Sequence, residues 1–196
     1  MSRRPTVVVF ARVPRLGAVK TRLARDVGAI EAWRFYRGTT FSVLERLAGR
    51  REWQLRLAVT PDAGVAWQGW PRGLRIVPQG PGDLGRRMRR ALRMAGTGPV
   101  VLVGSDIPQL RAAHIGRAFA ALRGAEVVFG PANDGGFWLV GVRRPALAAG
   151  LFAGVRWSTP HALADSRAGL PAAWRVALVD RLVDVDTAAD LLVIAG

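Results

Sequence analysis

Only one of the 29 basic side chains in this 196-residue sequence is a lysine, and it lies in a loop rich in positive charge. Lys20 follows the first apolar run, and Arg12, Arg15, Gly17 and Arg22 surround it in sequence. An ammonium is a compact point charge, whereas a guanidinium is a wide planar fork. The loop therefore predicts contacts with the phosphates of a nucleotide. The alternative is a chance lysine on a solvated loop.

A carboxylate follows the most apolar run of the sequence. Asp106 stands three residues after the end of residues 99–103, in the order Gly-Ser-Asp-Ile-Pro. A carboxylate at the end of a buried strand is a hard oxygen ligand of the kind that Mg²⁺ or Mn²⁺ takes. The alternative is a cap on the helix after Pro108. Candidate caps nearer that helix, Gln109 and Arg111, favour the metal-ligand interpretation.

Three further carboxylates are candidates for a second metal ligand. Asp184 and Asp186 precede the last predicted helix, although Asp186 or Thr187 could simply cap it. Asp134 belongs to an Asn-Asp-Gly-Gly sequence, which is also an ordinary tight turn. The two glycines of that turn would allow a ligand to approach the backbone closely.

Residues 80–85 fit the dinucleotide-binding pattern G-x-G-x-x-G, with Asp106 about 20 residues further on. We reject an NAD site there because Asp83 would oppose a pyrophosphate at the helix N-terminus. An NAD site at these residues would also assign no ligand contact to the basic loop around Lys20. Gln79 and this glycine-rich loop could instead contact the edge of a nucleobase.

Apolar runs and helix-like segments alternate along the chain, which predicts a single α/β domain. Its architecture would be a three-layer αβα arrangement around a mostly parallel sheet. Ligands of such sheets bind outside the carboxyl ends of the strands, where the polar clusters fall. The predicted strands cover residues 7–10, 55–60, 74–77, 99–103, 126–129, 137–142 and 174–179. The main predicted helices cover residues 29–47, 84–95, 111–122 and 187–194.

The composition narrows the class of function. Half of the residues are hydrophobic, there is no cysteine, and the net charge is +15. No apolar run reaches the roughly 18 residues that a membrane span needs, so we expect a cytoplasmic protein without a membrane partner. The charge could indicate nucleic acid, but the arginines are spread along the whole chain. An anionic small molecule accounts for a basic surface equally well.

Taken together, five ordered motifs resemble the bacterial glycosyltransferase-A-like family, which includes CofC-like and arsenosugar-biosynthesis-type glycosyltransferases. The resemblance covers nearly the whole chain and implies the nucleotide-diphospho-sugar transferase (GT-A) fold. Relatives include guanylyltransferases that act on phosphoenolpyruvate or lactate and on the molybdenum cofactor. The usual G-x-G-T/S-R loop is absent, and a shorter Lys-Thr-Arg version stands in its place. The five motifs are residues 10–23, 79–88, 104–108, 130–141 and 184–191.

The resemblance also implies roles for individual residues. Those that would contact nucleotide phosphates are Arg12, Arg15, Gly17, Lys20 and Arg22. Those near the base would be Gln79, Leu84 and Gly85. The metal would be held by Asp106 and Asp186, and the substrate side would be lined by Asp134, Gly135 and Gly136.

The leading hypothesis is a Mg²⁺- or Mn²⁺-dependent transferase that moves a sugar from a nucleotide-sugar to a small-molecule acceptor. Lys20, Arg22 and Asp106 would be its catalytic residues. The alternative reaction is guanylyltransferase-like nucleotidyl transfer from a triphosphate, which releases pyrophosphate. A basic nucleic-acid-binding module is the alternative of another class, and the ordered carboxylate motifs argue against it. A fold member that binds nucleotide without turnover is a further alternative.

Overall fold

Seven strands form one sheet in the computed structural model, which describes residues 4–195. Their order across the sheet is β3-β2-β1-β4-β6-β5-β7. Only β6 runs antiparallel to its neighbours, β4 and β5, so the mostly parallel sheet is confirmed. The strands are β1 (Thr6–Arg12), β2 (Gln54–Thr60), β3 (Arg75–Pro78), β4 (Val100–Gly104), β5 (Val127–Pro131), β6 (Phe137–Val142) and β7 (Val176–Leu178).

Six α-helices lie among the described residues, and α1 and α6 pack in a separate cluster beside α2. One face of the sheet packs against α2 and α4, and the other packs against α3. The central strands are buried on both sides, which explains their continuous apolar runs. The helices are α1 (Thr21–Val27), α2 (Ala29–Leu47), α3 (Leu84–Met94), α4 (Ala112–Ala121), α5 (Ala162–Ala168) and α6 (Ala188–Ala195). Two short 3₁₀ helices cover Asp62–Ala66 and Pro145–Gly150.

The three-layer αβα architecture predicted from the sequence is therefore confirmed. The bounds of α2 agree with the predicted residues 29–47 because apolar residues recur along one face of the helix. Within residues 4–195, no helix is both long enough and apolar enough to cross a membrane.

The central strands bring the ends of two motifs to one edge of the sheet. Phe10 of β1 pairs with Gly104 of β4, and the two strands are parallel. Arg12 and Asp106 therefore leave the sheet at the same edge. The hydroxyl of Tyr36, from α2, lies 2.8 Å from the backbone nitrogen of Arg12 and 3.2 Å from Oγ of Ser105. This buried tyrosine ties the two strand ends together.

Candidate active site

Lys20 lies at the centre of three carboxylates that come from distant parts of the chain. Its Nζ is 2.7 Å from Asp106, 3.0 Å from Asp184 and 2.7 Å from Asp186. An ammonium has three N–H donors, so these contacts use all of them. The predicted juxtaposition of Lys20 and Asp106 is confirmed. A direct contact from Lys20 to phosphate would require one of these bonds to be given up.

The backbone conformation of Lys20 directs its side chain inward. Lys20 has φ 47° and ψ 47°, in the left-handed region, and it precedes the first residue of α1. This conformation costs a residue with a side chain about 1–2 kcal/mol. The side chain is only 5% exposed, although it carries a charge. Backbone strain next to a buried charge is typical of a functional site rather than of a solvated loop.

Asp106 reaches Lys20 from the loop after β4 and does not cap a helix. Helix α4 begins at Ala112, and the backbone N–H of Arg111 bonds to Nδ1 of His114 at its start. The Asp106 carboxylate is therefore available for Lys20 or a ligand. This arrangement agrees with the ligand interpretation and excludes the cap.

Asp184 and Asp186 lie on one side of an extended segment. Side chains of extended chain alternate between two sides, and here Val183 and Val185 are buried while the two aspartates face Lys20. Asp190, rather than Asp186, accepts the N–H groups at the start of α6. The carboxylate of Asp186 is therefore free of capping. Asp184 joins the site as well, which the sequence had offered only as an alternative.

The charges at this centre are unbalanced. Burial alone would lower the pKa of Lys20, but the three carboxylates raise it well above its usual range. Burial, followed by the charge of Asp106, raises the pKa of Asp184 to about 7. One ammonium thus does not compensate three carboxylates in a partly desolvated place. Arg22 adds only a longer contact to Asp186, at 3.4 Å.

The three carboxylates fit a divalent cation. Each offers an oxygen, and these oxygens lie within 4.8 Å of one another. Such an all-oxygen donor set with excess negative charge suits Mg²⁺ or Mn²⁺. Among the described residues, no other group of three acidic, histidine or cysteine side chains meets this spacing.

A cavity of about 550 Å³ opens beside the carboxylates, and we call it the first cavity. Four basic residues line it: Arg12, Lys20, Arg22 and Arg87. Arg15 and Gly17, predicted to contact phosphate, lie on an exposed turn outside its lining. The loop needs Gly17 to turn back towards the sheet, since Gly17 has φ +77°.

Arg87 is a lining residue that the sequence did not single out, because it belongs to a basic helix face. Gln79 fixes it: the Gln79 side chain donates to the carbonyls of Ala11 and Ala58 and accepts from Arg87 at 3.0 Å. The Gln79 amide is thus occupied by protein groups. In this arrangement Gln79, which also lines the first cavity, positions a guanidinium, and its contact with a nucleobase edge stays a prediction. Burial, and then the charge of Arg12, lower the pKa of Arg87.

Leu84 and Gly85 lie in different surroundings in the structure, although both were predicted near the base. Leu84 lines the first cavity, whereas Gly85 is buried behind it. A Cβ at Gly85 would lie 2.8 Å from the Trp157 ring and 3.1 Å from Cβ of Phe152. Gly85 therefore allows α3 to pack closely on the Trp157 loop, and its place near the base stays a prediction.

A second cavity, of about 510 Å³, lies on the other side of the carboxylates. Asp134 and Gly136 line it as predicted for the substrate side, but Gly135 does not. A Cβ at Gly135 would lie 2.1 Å from the carbonyl oxygen of Pro160. The close approach that this glycine permits is therefore that of another chain segment, not of a ligand.

Comparison with known proteins identifies a family. Residues 43–159 match the family described as "Uncharacterized protein conserved in bacteria (DUF2064)". No curated protein matches the sequence.

Solved structures share the fold over nearly the whole chain. A candidate nucleotide-diphospho-sugar transferase from Desulfovibrio desulfuricans G20 is 31% identical, with a TM-score of 0.81, covering 98% of this chain and 86% of that one. A manganese complex of Rv0371c from Mycobacterium tuberculosis H37Rv is 19% identical, with a TM-score of 0.55 and 97% of each chain covered. The 4-diphosphocytidyl-2C-methyl-D-erythritol synthase of Anaerococcus prevotii DSM 20548 is 12% identical, with a TM-score of 0.64, covering 97% of this chain and 94% of that one. The two more distant structures show the fold alone.

Proposed function

The chain belongs to the bacterial family DUF2064, and we propose that it is a divalent-cation-dependent transferase that moves a sugar from a nucleotide-sugar to a small-molecule acceptor. The transferase class agrees with the name of the relative that is 31% identical. The observation that carries the proposal is the excess of negative charge around Lys20, next to a cavity lined by arginines.

The carboxylates of Asp106, Asp184 and Asp186 would hold Mg²⁺ or Mn²⁺. The ion would neutralise charge that develops on the diphosphate leaving group. Their spacing supports this assignment, and the distant relative Rv0371c was crystallised with manganese. Lys20 keeps the three carboxylates together and limits their mutual repulsion. It is therefore a positioning residue in the described geometry.

The guanidiniums of Arg12, Arg22 and Arg87 bind the phosphates of the donor. They lie around the first cavity, and the fixed planar forks suit phosphate oxygens. Leu84 packs against the nucleoside part. These groups hold the donor so that its sugar faces the second cavity.

The transfer itself breaks one bond and forms one. The acceptor hydroxyl oxygen bonds to the anomeric carbon while the bond from that carbon to the diphosphate oxygen breaks. The electron pair leaves with the nucleoside diphosphate, and the hydroxyl proton passes to water. The arginines stabilise the departing diphosphate because they are already in place.

Nucleotidyl transfer is the second candidate, and the four basic residues of the first cavity favour it because a triphosphate carries more charge. Incubation with Mn²⁺, sugar-nucleotides, nucleoside triphosphates and acceptor mixtures separates the two reactions. Release of a nucleoside diphosphate supports glycosyl transfer, and release of pyrophosphate contradicts it. Steeply salt-dependent retardation of DNA or RNA without turnover would instead support a nucleic-acid-binding module.

A further inference from the structure

The second cavity carries an aromatic surface beside the carboxylates. Phe10, Phe137 and Trp157 are half-buried there, so part of each ring remains accessible. Phe152 stacks behind Phe137 at 6.0 Å with 5° between the ring planes, and Trp157 meets Phe137 edge-on at 6.3 Å. Rings held by other rings provide a rigid apolar contact surface.

The charges of the second cavity are mostly negative. Asp106, Asp134, Asp184 and Asp186 line it, and Arg22 is the basic residue in its lining. This is unexpected in a chain with 29 basic and 14 acidic residues. A divalent cation together with Lys20 and Arg22 would only balance the four carboxylates. The diphosphate of a bound donor would then make the region negative again.

A strained and fastened loop separates the two cavities. Trp157 and Ser158 line both cavities, and Ser158 has φ 59°, which residues with a side chain rarely adopt. Two bonds of 2.9 Å join the guanidinium of Arg156 to the carboxylate of Asp165. On the other side of the loop, Gly135 packs against Pro160. The loop that borders the second cavity is therefore held on both sides.

We infer that the second cavity binds the acceptor and selects an uncharged or cationic molecule with an apolar ring face, while it rejects phosphorylated acids. This inference rests on the proposed function and narrows its substrate class. The aromatic surface attracts the ring face, and the carboxylates repel an anion. The arginines of the first cavity attract phosphate, so the phosphate-bearing substrate binds there and not in the second cavity.

Binding of two matched probes tests the selection without turnover. The probes are phenyl β-D-glucopyranoside and its 6-phosphate, titrated calorimetrically into the full chain in the presence of EDTA, so that the four carboxylates of the second cavity face only Lys20 and Arg22. We expect the neutral glucoside to bind, and the phosphate to bind about tenfold more weakly because of like-charge repulsion. Equal or tighter binding of the phosphate, or no binding of the glucoside, would overturn the inference.

Two variants locate the binding. Phe137 lines only the second cavity, and Phe137→Leu should weaken glucoside binding about tenfold through lost ring contact. Asp134→Asn removes one carboxylate, so it should reduce the difference in affinity between the two probes. This variant also tests the assignment if the Phe137 variant does not fold. Two results would contradict the assignment: unchanged glucoside affinity in a folded Phe137→Leu protein, or an unchanged difference in affinity between the probes in Asp134→Asn.

A nucleotide arm keeps this result separate from the proposed function. Each variant is also titrated with Mn²⁺ and the nucleoside diphosphate that binds best among UDP, GDP, CDP and ADP. Arg87→Gln should weaken the nucleotide and spare the glucoside, since Arg87 lines only the first cavity. If no diphosphate binds while the glucoside behaves as expected, the proposed function fails and the selectivity of the second cavity stands.

Discussion

The carboxylates around Lys20 and two carboxylates elsewhere on the molecule, Glu126 and Asp165, are paired in opposite ways. Three carboxylates share the Lys20 ammonium. Glu126, by contrast, lies between two guanidiniums, those of Arg143 and Arg175, and Asp165 has the whole fork of Arg156. A chain with twice as many basic as acidic residues can easily saturate its carboxylates. The difference supports the proposal that the three unsaturated carboxylates bind a divalent cation.

The two kinds of group also do different work. Glu126 accepts from the backbone N–H of Arg175 and pairs with Arg143, so it fastens β5 to the segments beside it. Pairs of this kind near the surface contribute little to stability, because solvent screens their charges. The Lys20 centre instead combines a strained backbone with a buried charge, and both cost stability. Such a cost is expected where binding, rather than folding, requires the arrangement.

The largest expected effect comes from removing a carboxylate of the Lys20 centre. Asp106→Ala should weaken Mn²⁺-dependent nucleotide binding by about 100-fold or more, because it deletes a proposed metal ligand. Calorimetry with a nucleoside diphosphate, with and without Mn²⁺, measures this. The control is Glu31→Gln, which removes a carboxylate from an exposed pair with Arg34. Unchanged Mn²⁺-dependent nucleotide affinity in a folded Asp106→Ala protein would show that the carboxylates around Lys20 do not bind the metal.

Replacing the shared ammonium tests the balance of charge directly. Lys20→Met leaves three carboxylates without their partner and should cost about 3 kcal/mol of unfolding free energy. Mn²⁺ should then stabilise the variant more than the wild type, because the ion relieves a larger repulsion. Thermal melts with and without Mn²⁺ report both effects. Lys20→Arg should also impair nucleotide binding, since a planar fork does not replace a compact ammonium; full binding would mean that the lysine is incidental.

A variant of Arg87 tests the proposed phosphate contact in the first cavity. Arg87→Gln should weaken nucleotide binding about tenfold, because a charge-assisted bond to phosphate contributes about 1.5–3 kcal/mol. Arg93→Gln is the matched control, since Arg93 lies on the same helix but outside both cavities. A similar loss in both variants would indicate a general effect of net charge instead of a built phosphate contact.

The smallest effect is expected at a saturated pair. Hydrogen bonds from Arg156 lower the pKa of Asp165 from 3.8 to about 2. A lowered pKa means that the ionised form stabilises the folded state above the ordinary value, and that this contribution is lost as the pH falls from about 4 towards 2. Asp165→Asn should therefore melt slightly below the wild type at neutral pH, and the gap should close in acid. A difference in melting temperature that stays constant with pH would show that the charge of Asp165 does not contribute to stability.

The sequence predicted the fold and the meeting of Lys20 with Asp106 because both depend on local pattern and on one rule of sheet topology. Apolar periodicity marks α2, and continuous apolar runs mark β1 and β4. Ligands and polar clusters then gather at the carboxyl ends of parallel strands. The antiparallel direction of β6 is not encoded in such runs, since a strand buried on both faces has the same pattern in either direction.

Other parts of the site depend on packing that no local pattern shows. Gly85 and Gly135 are needed where chain segments touch, and only the folded chain brings Trp157 and Pro160 to them. Arg87 differs from its basic neighbours only because Gln79 holds it. Asp184 did leave a signal: the alternation Val-Asp-Val-Asp places it on the same side as Asp186.

The most direct measurement is the anomalous scattering of a crystal soaked with Mn²⁺ and the nucleoside diphosphate that binds best. We expect one strong manganese peak in contact with Asp106, Asp184 and Asp186, and the diphosphate between the metal and Arg87. A peak elsewhere, or a bound nucleotide with the three carboxylates still gathered on Lys20 and no metal, would contradict the account.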